Sequence, residues 1–156
     1  MPTRTRDDAT LASVQEGFIR LMRFASRPAV HQALRQAAGV ELDRSAYAIV
    51  ARIAEFGPIR SRDLAELLAV DPSTLSRQLA RLVELGLVAR VEDPDDGRAQ
   101  QLTVLPAGEE ILARFRGVWR AWLDDALHDW SAHDRDTLAE LLPRFVDALS
   151  TTPVPG

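Results

Sequence analysis

Asp71-Pro72-Ser73-Thr74-Leu75-Ser76-Arg77-Gln78-Leu79-Ala80-Arg81-Leu82-Val83-Glu84-Leu85-Gly86 is the stretch on which the fold turns. Asp before Pro is a helix-start signal. The carboxylate accepts from unpaired N–H groups of the first turn, and Pro lacks an N–H where none is needed. Gly86 marks the end. At about 100° per residue, Leu75, Leu79, Leu82 and Val83 fall on one arc. Ser73, Thr74, Arg77, Ala80 and Arg81 fall on the other, with Ser76 and Gln78 at the boundaries. Arg can pair bidentately with guanine, Gln with adenine, and hydroxyls with bases or phosphates. The same residues also suit a solvated helix face, so this helix alone leaves both possibilities open.

Its neighbours narrow the choice. Upstream, Ser61 is placed to cap a short helix carrying Leu64, Ala65, Leu67 and Leu68, joined by the brief turn Ala69-Val70-Asp71. Two helices so connected have helix-turn-helix geometry, whose second helix enters the major groove. Downstream the period changes. Leu87-Val88-Ala89-Arg90-Val91 is β-prone, Glu92 to Gly97 is dense in turn residues, and Ala99 to Leu105 reads as a returning strand. Such a hairpin carries Arg98 at its tip, where a guanidinium can reach a narrow minor groove. By itself it better fits a polar hairpin tip with an incidental Arg. One of Asp93, Asp95 and Asp96 is expected to hold Arg98 through a charge-assisted bond, with Asp95 and Asp96 as the candidates for positioning the wing.

Further out the pattern is helical. From Thr10, apolar residues recur at Leu11, Val14, Phe18, Leu21, Met22 and Ala25. Pro28 predicts a kink or break, with Ser26 as cap of a segment through Val30 and Leu34 to Gly39. Asp43 is placed to cap a helix that stops at Gly57-Pro58. After Pro106 one helix carries Phe115, Trp119 and Trp122 to Leu127, and a last one carries Leu138 to Leu149. The expected fold is mainly α with a small β-hairpin wing.

The middle third resembles the winged helix-turn-helix regulators of the MarR (multiple antibiotic resistance regulator) family. Asp63-Leu64-Ala65 is similar to the family's acidic-Leu-Ala signature, and Asp71 to Leu79 to its recognition helix. Leu82-Val83-Glu84-Leu85-Gly86-Leu87-Val88-Ala89-Arg90 resembles its helix exit, Asp93-Pro94-Asp95-Asp96-Gly97-Arg98 its wing, and Pro106-Ala107-Gly108 its next helix start. One departure is Leu105, where the family usually has Thr; loss of that hydroxyl cap predicts a less firm start to the following helix. The resemblance implies a winged helix-turn-helix over 41–105, flanked by a helical dimerisation region over 9–40 and 106–150. Flexible tails are expected at 1–8 and 151–156. It further implies a homodimer on a pseudo-palindromic double-stranded DNA operator, acting as a repressor. The implied DNA contacts are Ser61, Arg62, Ser73, Thr74, Ser76, Arg77, Gln78, Arg81 and Arg98. It also implies release by a small aromatic or phenolic effector, for which His31, Arg35, Tyr47 and Trp119 are the candidates.

Composition bounds these expectations. The 156 residues predict one domain with appendages. There is no cysteine, which excludes disulfides, thiol nucleophiles and thiol redox sensing. All 19 basic residues are Arg, and 23 acids give a formal charge of −4. Such a balance argues against coating nucleic acid by bulk charge or anchoring to a membrane by a basic patch. Residues 60–105 are themselves acidic, with six Arg against eight acids. Any DNA binding must therefore rest on placed arginines. No targeting or membrane-spanning segment is visible, and a cytoplasmic protein is expected. No cofactor or metal site is expected. Asp124 with His128, and Asp129 with His133, have a four-residue spacing compatible with metal ligation, but solvated surface explains them as well. An enzyme is disfavoured, because no nucleophile elbow, phosphate loop or HExxH motif occurs. A winged helix used only for protein contact is the remaining alternative; Arg on both helix and wing argues for DNA.

Overall fold

A computed structural model describes residues 3–97 and 99–153. The elements run α1 (Thr3–Ala25), α2 (Pro28–Ala38), α3 (Arg44–Phe56), β1 (Ile59–Arg60), α4 (Ser61–Leu68), α5 (Pro72–Glu84), β2 (Val88–Glu92), β3 (Gln100–Val104), α6 (Pro106–Ala126) and α7 (Ala132–Thr151). The chain divides into two compact units, residues 1–118 and 119–156.

The first unit holds the core. Val50, Ile53, Leu64, Leu75, Leu79, Leu82, Val88, Leu102 and Leu112 are each 2% exposed or less. They come from α3, α4, α5, β2, β3 and α6, so one apolar centre ties helices to sheet. Full burial of such a side chain stabilises by about 1.5–3 kcal/mol. The sheet is antiparallel in the order β1-β3-β2. Val88 pairs with Val104 and Arg90 with Leu102, which is the hairpin register expected. The two-residue β1 was not anticipated; it adds Ile59 opposite Leu102 and Arg60 opposite Gln101. Two residues are too short to show a period.

Several local expectations are met. Asp43 caps α3 by accepting from the Ala46 N–H at 2.8 Å. Asp71 caps α5 by accepting from the Thr74 N–H at 3.0 Å. Others are corrected. Pro28 produces a break, with α1 ending at Ala25 and extended backbone at Arg27 (φ −67°, ψ 121°). Ser26 caps nothing: its hydroxyl donates back to the Arg23 carbonyl at 3.0 Å. Ser61 is the first residue of α4 rather than its cap, because the chain arrives directly from β1 with Arg60 at the cap position. Residues 3–8, expected as part of a flexible tail, belong to α1; neither Gly nor Pro interrupts the sequence between Pro2 and Gly17. At the other end Thr151 closes α7.

The turn between α4 and α5 places Ala69 in the left-handed region (φ 51°). The Ala69 and Val70 N–H groups close the end of α4 on the carbonyls of Glu66 and Ala65, each at 3.1 Å. Those bonds offset a conformation that costs a non-Gly residue about 1–2 kcal/mol.

Leu105 has no hydroxyl with which to cap α6. Its N–H donates to the Leu87 carbonyl at 2.9 Å, and its own carbonyl accepts from Glu109 at 3.1 Å, so backbone bonds hold the start of α6. Gly108 explains the motif there. A Cβ at this position would lie 2.5 Å from the Leu87 carbonyl oxygen and 2.7 Å from Val104 Cγ1. The close approach of α6 to the hairpin thus requires glycine.

In the second unit Trp119 and Trp122 meet edge-on, ring centroids 5.1 Å apart. Ser131 caps α7, accepting from the Asp134 N–H at 3.1 Å. His128 and Asp129 lie between α6 and α7, so neither four-residue pair shares one helix. His128 Nε2 instead approaches Asp129 Oδ1 at 3.0 Å, both side chains well exposed. Among the described residues, no helix is long and apolar enough to cross a membrane, and no three metal-ligating side chains cluster.

Gly108→Ala should destabilise the protein by about 1–3 kcal/mol, since backbone must move to admit the methyl group. Urea denaturation at matched protein concentration measures this; unchanged stability would mean the approach of α6 is loose.

Candidate nucleic-acid interface

Helix α5 is seated by Leu75, Leu79 and Leu82 and packs against α4 and β2. With that arc buried, the opposite one must face solvent. Ser73, Thr74, Ser76, Arg77, Ala80 and Arg81 are all exposed. Thr74, Arg77, Gln78 and Arg81 line one cleft together with Asp43. Arg77 Nη2 donates to the Thr74 hydroxyl at 3.4 Å, a long bond that a better acceptor can replace.

The first turn is drawn tight. The Ser73 hydroxyl donates to the Asp71 carboxylate, beside the Thr74 N–H. Together these donors, the Ser73 hydroxyl foremost, hold the Asp71 carboxyl below its ordinary range. Gln78 stands at the edge of the arc. It is half-buried, and its amide donates to the Ser45 hydroxyl of α3 at 3.0 Å. This bond braces α5 against α3.

A second group sits beside the turn. Ser61, Arg62 and Ser76 line a cleft with Arg90 of β2. Arg62 also pairs with Glu66 one helical turn on, at 3.1 Å, with both side chains exposed. Such a surface pair contributes little and is easily exchanged for another anion. In the sequence Arg90 stands only in the helix-exit motif, with no sign that it shares a cleft with Arg62.

At the wing, the expected pairing of Arg98 with Asp93, Asp95 or Asp96 falls on Arg98, which lies outside the described residues. Asp95 and Asp96, expected to position the wing, have exposed side chains. The buried acid is Asp93, at 3% exposure. Arg60 Nε donates to its Oδ2 at 2.6 Å, and the Asp95 N–H to its Oδ1 at 2.9 Å. Gln101 adds a side-chain bond. Arg60 stands 33 residues away in sequence, so no local pattern could pair the two.

Of the expected effector residues, His31, Arg35 and Tyr47 belong to the first unit. His31 and Arg35 line a groove of about 880 Å³ along α2, with Gln32, Gln36 and Arg44. Among the described residues, His31 Nδ1 and Arg35 Nε are buried without a hydrogen-bond partner. Tyr47 lies 4.2 Å from Phe115 and 6.5 Å from His31, centroid to centroid. Burial raises its phenol pKa, opposed by nearby Arg116. Trp119 belongs to the second unit and pairs with Trp122.

A profile of the MarR family matches residues 41–99, the stretch from before α3 to the hairpin tip just before β3. The uncharacterized HTH-type transcriptional regulator YxaD of Bacillus subtilis (strain 168) is 36% identical over 104 residues, covering 67% of this chain and 73% of YxaD. The chain belongs to the MarR family. Solved structures agree on the MarR fold. A crystal structure of MarR superposes with a TM-score of 0.65 at 25% identity, covering 88% of this chain and 98% of that one. A MarR family protein from Bacillus stearothermophilus gives 0.75 at 19% identity, covering 92% and 98%, a likeness of fold alone. The MarR family is one of transcriptional regulators rather than enzymes.

Bonds to Arg60 first, then to the Asp95 N–H, pull the Asp93 carboxyl from its ordinary 3.8 down to about 2. A depressed carboxylate stabilises the fold fully above its unfolded value, and the contribution fades as pH falls toward the folded one. An NMR titration of side-chain carboxyl carbons should place the Asp93 midpoint near 2. A midpoint at the ordinary value would show that Arg60 does not hold it in solution.

Proposed function

We propose that this MarR-family regulator binds a pseudo-palindromic operator as a homodimer and acts as a repressor released by a small aromatic or phenolic effector. The observation that carries DNA binding is the exposed arc of α5, where Arg77 and Arg81 stand beside Ser73, Thr74 and Ser76 on a helix whose other face is buried. Those groups can read base edges and hold phosphates. Ser61 and Arg62 suit phosphate contact at the start of α4, and Arg98 the adjacent minor groove. Gln78 is proposed as a brace for α5 rather than a base contact, because Ser45 holds its amide.

Support for a homodimer comes from the outer helices. α7 buries none of its side chains, and Leu141, Leu142, Val146 and Leu149 are 45–51% exposed. On α1, Leu11, Leu21 and Met22 are 54–67% exposed. Apolar faces of this extent mark an interaction surface, and a second copy would cover both. Support for an effector is the α2 groove. Its volume suits a small molecule, and the buried, unpartnered Arg35 Nε–H, together with His31 Nδ1 in its N–H tautomer, would donate to an anion. Tyr47 contributes to the same cluster, whereas Trp119 has no demonstrated part in it. Nothing spans a membrane among the described helices, in keeping with a cytoplasmic regulator.

Replacing Arg77, Arg81 and Arg98 together by Ala should abolish binding to a duplex selected by the wild-type protein. Helical content and sedimentation should stay unchanged. Undiminished affinity would overturn the DNA-binding proposal. In the same titration, phenolic acids should release wild-type protein from the duplex; no release by any of them would refute that effector class.

A further inference from the structure

Asp93 follows the last residue of β2, where the strand gives way to the hairpin tip. Its side chain is 1% exposed. A carboxylate so enclosed is stable only with donors on its lone pairs, and here they come from three places. The Asp95 N–H lies within the tip, Gln101 is on the middle strand β3, and Arg60 is on the far edge strand β1. The register sets Arg60 opposite Gln101, and Gln101 opposite Val91. The guanidinium of Arg60 therefore crosses β3 to reach the base of the wing. The tip itself is closed by backbone bonds around the same residue. Asp93 donates to the Ala99 carbonyl at 3.1 Å, and Ala99 to the Asp96 carbonyl at 2.8 Å.

Arg60 is also the residue immediately before α4, at its cap position. One ion pair thus joins the start of the helix pair to the root of the wing. We infer that Arg60 and Asp93 are positioning residues for DNA binding, locking wing and helix pair into one rigid reading surface. This inference rests on the DNA-binding function proposed above. Asp63 and Asp96 also face Arg60 and favour its charge, but Asp93 is the acid that bonds it.

Charge alone makes the opposite prediction. Asp93 lies on the element that would approach phosphates, so neutralising it should tighten binding by removing repulsion. A lock predicts that Asp93→Asn weakens binding although it removes a negative charge. The sign of the effect therefore separates the two.

The experiment uses the full chain and a duplex selected by the wild-type protein from random sequence. Affinity is read by fluorescence anisotropy across a salt series, for wild type, Asp93→Asn, Arg60→Gln and the double variant. Each single variant should lose about tenfold in affinity, the scale of one lost contact set. The double variant should lose no more than either single one, since both break the same bond. The loss should persist at temperatures where circular dichroism shows each variant fully folded, which a purely structural role would not produce. If Asp93→Asn does not fold, Arg60→Gln and its partial rescue by Arg60→Lys carry the test. Unchanged or tighter binding by Asp93→Asn, or losses that add in the double variant, would overturn the lock. If Arg60→Gln must serve alone, undiminished affinity or no rescue would do the same. Wild-type protein that selects no sequence would overturn the DNA-binding proposal and the lock with it.

Discussion

Three leucines of α5, Leu75, Leu79 and Leu82, are buried to 2% exposure or less, and that seating fixes the orientation of the helix. A helix held on one arc has no freedom to choose the other. Arg77 and Arg81 face outward because the leucines face inward, and the hydroxyls of the first turn follow. The Ala69 turn, the Asp71 cap and the Gln78–Ser45 bond then refine a placement that burial has already made. Most of the core serves this seat. Ile53, Leu64, Val88 and Leu102 arrive from four other elements, and Gly108 lets α6 close over the hairpin.

Acidic residues near the proposed DNA-reading surface look like a contradiction until their bonds are traced. Asp71 is occupied with the first turn of α5, and Asp93 with Arg60 and the wing backbone. Each spends its charge locally, where it organises the surface instead of repelling a phosphate. The acidic total of the chain therefore says little about what its exposed arc can bind. It does limit non-specific association, because that term scales with the number of phosphates neutralised.

The legible part of the fold was the part written in short-range chemistry. Asp43 and Asp71 announced helix starts through their caps, and the buried leucines of α5 announced their arc through spacing. The exchange of period after Gly86 announced the hairpin. What escaped depended on contacts distant in sequence. Arg60 and Asp93 are separated by 33 positions, and β1 is two residues long, so neither left a local trace. The burial of Asp93 among the three acids of the wing was likewise invisible, because type and spacing do not distinguish it from Asp95 and Asp96. The bond of Gln78 to Ser45, 33 positions away, left no local trace either. Residues 3–8 looked like a tail because they are polar, but polarity does not forbid helix where nothing breaks it.

The outer helices carry the remaining weight. Their exposed leucines make sense if two copies of the chain present two α5 helices to one duplex. Selection of bound sequences from random DNA tests this most directly. A homodimer of winged helix-turn-helix units should enrich an inverted repeat whose half-site centres lie about one helical turn, roughly 10 base pairs, apart. Enrichment of a single unsymmetric site, or of none, would contradict it.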